Sequence, residues 1–117
     1  GIVVTAWGYT SNTTGGKLIQ LWFGSSALTD PQASISGITT QWLFSANVIR
    51  SAATTQRLTR WGINSNGVSL RLVSSATGAD ITAAETLSSA VTILVSAQSQ
   101  NAASDIIQQG LLIQTLG

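Results

Sequence analysis

QWLFSANVIR, residues 41–50, is the stretch from which the fold is read. Side chains of an extended strand alternate between its two faces. Here Trp42, Phe44, Ala46 and Val48 fall on one face, and Ser45 and Asn47 on the other. That is the pattern of a half-buried strand. Upstream, residues 2–7 form a first run. Residues 17–24, KLIQLWFG, form a second, with Ile19, Leu21 and Phe23 on one face and Leu18, Gln20 and Trp22 on the other.

Downstream the same period continues. Residues 55–61 set Arg57, Thr59 and Trp61 opposite Gln56, Leu58 and Arg60. Residues 67–73 set Val68, Leu70 and Leu72 opposite Ser69, Arg71 and Val73. NSNG between them supplies residues that tolerate positive φ, which predicts a hairpin. Residues 87–97 read as a strand with Leu87, Val91, Ile93 and Val95 inward and Ser88, Thr92 and Ser96 outward. In 105–116, Ile107, Leu111 and Ile113 face one way and Ile106, Leu112 and Leu116 the other. A strand apolar on both faces is central to a sandwich or part of a subunit interface. Residues 79–90 hold helix formers, but their Ser and β-branched content predicts a short strand or a single turn.

Turn clusters punctuate these runs at 11–16, 29–32, 64–67, 74–80 and 98–104. Ser and Thr make up roughly a quarter of the chain, well above ordinary usage. Short strands between regular turn clusters predict an all-β protein of about seven or eight strands. The expected architecture is an antiparallel β-sandwich, jelly-roll-like, in a single domain spanning 1–117.

Composition narrows function. Charged residues are 8% of the chain, the net charge is +1, and 44% of residues are apolar. Such a chain is not disordered. It has little electrostatic protection against association, which points to a surface covered in a permanent assembly. Lys17, Arg50, Arg57, Arg60 and Arg71 are dispersed, so no basic groove for nucleic acid is expected. No apolar run is long enough to insert in a bilayer as a helix. With no Cys and no His, zinc loses its favoured ligands and a Ser–His–Asp triad is excluded. The acids Asp30, Asp80, Glu85 and Asp105 each lie in or beside a predicted turn, without the density calcium needs. TTGGK lacks the spacing and ending of a phosphate loop and reads as a hairpin turn. No catalytic, cofactor-binding or metal residue is assigned, and no cofactor is expected.

Four tryptophans remain. Trp42 shares a face with Phe44 and Val48 and belongs to the core; Trp22 shares a face with Leu18. Trp7, near Tyr9, and Trp61, beside Arg60, are placed near strand ends. Exposed rings anchor protein interfaces or stack on sugars. Arg50 ends its strand, positioned to reach an interface or to pair with Asp105 or Glu85. Trp7, Tyr9, Trp61 and Arg50 are thus the candidate contacts.

Three segments carry a resemblance: VTAWGYTSNTTGGKLIQLWFG (4–24), QWLFSANVIRSAATTQR (41–57) and AAETLSSAVTILVSAQSQNAASDIIQQGLLIQ (83–114). Their order resembles the jelly-roll domains of tailed-bacteriophage virion proteins, in head-associated trimers and in tail-fibre or tailspike tips. The shared features are Trp7–Gly8, the Asn12 to Lys17 hairpin, Ile49–Arg50 with Ala53, Thr54 and Gln56, then Glu85–Thr86, and a closing strand after Ala103–Ser104–Asp105. Relatives of this kind carry a further strand before the point where this chain begins, so an N-terminal strand or longer upstream region is expected. The resemblance implies a homotrimer with an apolar three-fold interface. It also implies a place in the virion, on the capsid surface or in the tail. The first expectation is a non-enzymatic decoration or cement protein that binds the major capsid protein or other virion proteins. The second is a fibre or spike tip that binds host surface glycan.

Overall fold

A computed structural model describes residues 1–27, 40–64, 81–101 and 105–117. Among these, eight strands form two antiparallel sheets and no helix is present. The strands are β1 (Ile2–Thr10), β2 (Lys17–Phe23), β3 (Ser26–Ala27), β4 (Thr40–Ala52), β5 (Thr55–Asn64), β6 (Ile81–Ala83), β7 (Ile93–Ser99) and β8 (Ile106–Thr115). The larger sheet has the order β6-β5-β4-β1-β8 and the smaller β3-β2-β7. The protein is an antiparallel β-sandwich, as its alternating runs require. The last strand returns to lie beside the first, the closure of a Greek key. β2–β7 pairing nests inside β1–β8 pairing, which gives the sandwich its jelly-roll-like winding.

The core is where the inward sets of the two sheets meet. Val4 and Ala6 of β1 and Trp42, Phe44, Ala46 and Val48 of β4 face Ile19, Leu21 and Phe23 of β2, all buried. Leu58 and Ala83 extend this core across β5 and β6. Each large side chain contributes about 1.5–3 kcal/mol by leaving water. Trp42 and Phe44 are neighbours on one face, with ring centroids 5.9 Å apart and tilted by 45°. The Trp42 indole Nε1 is buried with no hydrogen-bond partner among the described residues. Such an orphan donor costs on the order of 1–3 kcal/mol, which the ring's packing must outweigh.

Residues 55–61 form a hairpin with β4, through a tight turn at Ala53–Thr54, and the ladder shifts between Arg50 and Ala52. The Ser51 hydroxyl donates to the Thr55 carbonyl there, at 3.0 Å. Residues 67–73, and with them the expected pairing of 55–61 with 67–73, lie outside the described residues. The expected 87–97 strand begins only at Ile93. Leu87, Val91, Ile93 and Val95 still pack on the core, while Ser88, Thr92 and Ser96 are exposed. Alternating burial there is achieved without a ladder: Ser89 N–H turns back to the Thr86 carbonyl, and Leu87 N–H donates to the Ala53 carbonyl in the β4–β5 turn. Within 79–90, the described residues 81–90 behave as read, with three residues of strand followed by a turn.

The last strand departs most. Trp7 pairs with Gly110 but Gly8 pairs with Gln108, so Gln109 is an extra residue, a β-bulge. An extra residue reverses the alternation beyond it. Ile106, Leu111 and Ile113 therefore stand opposite the inward residues Thr10, Ala6 and Val4, and Ile107 and Leu112 opposite the outward Tyr9 and Thr5. The predicted set Ile107, Leu111 and Ile113 is split between faces.

Candidate interaction face

The outer face of β8-β1-β4 is set by register. Its rows are Ile107–Tyr9–Gln41, Gly110–Trp7–Leu43, Leu112–Thr5–Ser45 and Gln114–Val3–Asn47. None of these residues is charged. Trp7 is 37% exposed, Tyr9 39% and Leu112 45%, and Ile49, one step beyond Asn47 on the same face of β4, is 49% exposed. Thr5 and Ser45 satisfy one another, hydroxyl to hydroxyl, at 3.4 Å.

The bulge holds Trp7 in place. The indole lies against the Gly110 backbone, where a Cβ would overlap it. On the opposite face a Cβ on Gly8 would overlap the Ile107 carbonyl oxygen and come within 2.7 Å of Trp42 Cζ2. Two glycines and one extra residue thus let β8 approach β1 closely and seat a large ring on an open sheet.

Of the four candidate contacts, the structure brings Trp7 and Tyr9 together, in the interior of β1 and near its end respectively. Trp7 is not at a strand end as expected, because β1 runs on to Thr10. Trp61 pairs through its backbone with Ser45, within β5 and away from its ends; its side chain lies outside the described residues. Arg50 does not join them. It is exposed at the opposite end of β4, and its Nε donates to the Ala52 carbonyl at 3.3 Å. The two acids considered as its partners receive serine hydroxyls instead. Leu112 and the bulge that aims it were missed as a site; the signal was Gly110 inside an apolar strand pattern.

Two polar clusters close the ends of the sandwich. At one, Glu85 accepts the Ser25 hydroxyl and backbone N–H, each at 2.7 Å, and the Ser26 hydroxyl at 3.2 Å. These bonds, the Ser25 hydroxyl first, hold its carboxyl below the usual value despite a small opposing effect of desolvation. Gln56 grips the backbone of Glu85 from the other sheet, donating to its carbonyl at 2.8 Å and accepting its N–H at 3.0 Å. At the other end, Asp105 is buried and accepts Ser11 and Ser99 hydroxyls at 2.8 and 2.7 Å. Lys17 is fully buried beside that turn, with its Nζ on the Thr13 carbonyl at 2.8 Å. Both clusters tie loops to sheets. Among the described residues no group of three or more His, Cys, Asp or Glu side chains is placed to hold a metal.

Comparison with protein-family models, curated proteins and solved structures gives no match to this chain.

Proposed function

We propose that the chain is a non-enzymatic structural protein of a bacteriophage virion: a capsid decoration or cement protein, working as a homotrimer on the shell. The observation that carries the reading is the uncharged outer face of β8-β1-β4, with Trp7, Tyr9 and Leu112 open to solvent. A lone soluble domain normally scatters charge over such a face. The chain's overall poverty of charge supports the same reading, as does the resemblance in its three segments to virion jelly rolls. The mechanism is linkage: a protein that buries surface across shell subunits binds the assembled lattice and stabilises it by mass action.

Magnitudes say how much surface this needs. Three strands at ~4.8 Å spacing and four rows at ~6.7 Å give a patch of roughly 10 by 20 Å. A stable interface takes about 800 Å² from each partner. The face must therefore be extended: Ile49, 49% exposed, continues it along β4, and Leu116, 42% exposed, follows β8. The test is copy number in purified particles, by quantitative mass spectrometry against the major shell protein. Abundance comparable to the shell subunit is expected; a few copies per particle would refute a cement role.

A second reading has its own observation. Trp7 and Tyr9 are exposed two residues apart, with the exposed Gln41 beside Tyr9 in the same row and the exposed Gln109 in the bulge. Rings beside amides suit sugar stacking, so a fibre or spike tip binding host glycan is the alternative. It expects a binder on a glycan panel, lost in Tyr9→Ala.

A further inference from the structure

The end of the sandwich occupied by Arg50 holds an open apolar cleft of about 370 Å³. Val48 forms one wall from the larger sheet and Phe23 and Ile93 the other from the smaller. Leu87 and Val91, from the segment crossing between the sheets, close it at one side. A second cleft of about 320 Å³ adjoins it and shares Arg50 and Leu87. That one is lined by the hydroxyl residues Thr54, Thr86 and Ser88. Among the described residues Arg50 is the one charged side chain on either lining, and it is exposed; Gly1 also lines the first cleft. Gln56, the other polar residue of the first cleft, has both ends of its amide bound to the Glu85 backbone.

An apolar chamber leading to one cation flanked by hydroxyls selects an amphiphile with an apolar tail and an anionic head. Volumes of this order are those of small-molecule sites, where a few polar groups fix orientation. We propose that this cleft binds an acyl-chain carboxylate. The tail lies between Val48, Phe23, Ile93 and Val91. The carboxylate meets the Arg50 guanidinium, with Thr54, Thr86 and Ser88 around it. The site is distinct from the outer face of β8-β1-β4 and stands or falls independently of the virion reading.

The test is calorimetric titration of the full chain with decanoate, kept below its micelle concentration, and with neutral 1-decanol. Wild type is expected to take up one decanoate per chain. Arg50→Gln, at an exposed position, is expected to fold normally and to bind decanoate about tenfold more weakly, the factor a charge-assisted hydrogen bond supports. Its affinity for 1-decanol is unchanged. Val91→Glu, which places a carboxylate in the half-buried wall, abolishes decanoate binding. No saturable uptake by wild type, or equal decanoate affinity in Arg50→Gln, overturns the proposal. So does a Val91→Glu chain that loses self-association while wild type ignores decanoate, because the cleft would then belong to a second copy.

Discussion

Gly8 and Gly110 face opposite sides of the same bulge, and they should tolerate a methyl group differently. At Gly8 the added carbon meets a backbone oxygen, Ile107 O, which cannot rotate away. At Gly110 it meets the rim of a partly exposed indole, which can. Gly8→Ala is expected to cost about 3 kcal/mol, the upper range for overpacking, and Gly110→Ala about 1 kcal/mol. Urea unfolding of the two variants checks the order. Glu85 gives a pH signature. Its carboxyl titrates lower in the folded chain than in the unfolded one. Between those two values the unfolded state binds more protons, so stability rises with pH. The contribution is fully present above the ordinary carboxylate range and is lost as pH falls through the depressed folded value. Glu85→Gln should flatten this acidic limb of a melting-temperature profile and leave the neutral limb parallel to wild type.

At the scale of elements, the bulge is what makes β8 serve two faces. Deleting Gln109 forces either Ile106–Gln108 or Gly110–Thr115 onto the wrong side of the sheet. The deletion is expected to unfold the chain or lower its melting temperature sharply, whereas Gln109→Ala, at an exposed position, stays within about 0.5 kcal/mol of wild type. Circular dichroism melts of the pair make the comparison. The contrast also marks what the amino-acid sequence discloses. Where a strand is regular, period two grouped the apolar inward residues of β2 and β4 correctly, since burial on one face leaves no other solution, although it did not include Lys17, buried on the same face of β2. In β8 the same rule failed past Gln109, because a bulge breaks parity and both parities are apolar there. Residues 87–92 kept their inward set but not their strand, because a loop laid across a core can alternate without a partner. The turn at Gly24–Ser25 was legible and overlooked. Gly with φ +60° in the first of two turn positions is the pattern of a type II′ hairpin. Of the site, Trp7 and Tyr9 were visible as aromatics in a strand. Leu112 was not, since its exposure depends on the bulge, and Arg50's position depends on a β4 that runs past it to Ala52.

For the whole molecule, the sandwich places its one strongly apolar interior between the sheets. The β8-β1-β4 outer face is left uncharged on a chain with only 8% charged residues. Burying that face, with the adjoining β8 edge, is the physical step from which shell binding would follow. A charge set into this face should block association without disturbing the fold, and Leu112, on the edge strand β8, is the place: 45% exposed, beside Thr5 and away from the core. Leu112→Arg is expected to match the wild-type melting curve within about 0.5 kcal/mol. The most direct measurement is sedimentation equilibrium of wild type and Leu112→Arg over a wide concentration range. A wild-type trimer that becomes a monomer in Leu112→Arg is the predicted result; a wild type monomeric throughout, or an oligomer indifferent to the arginine, would contradict it.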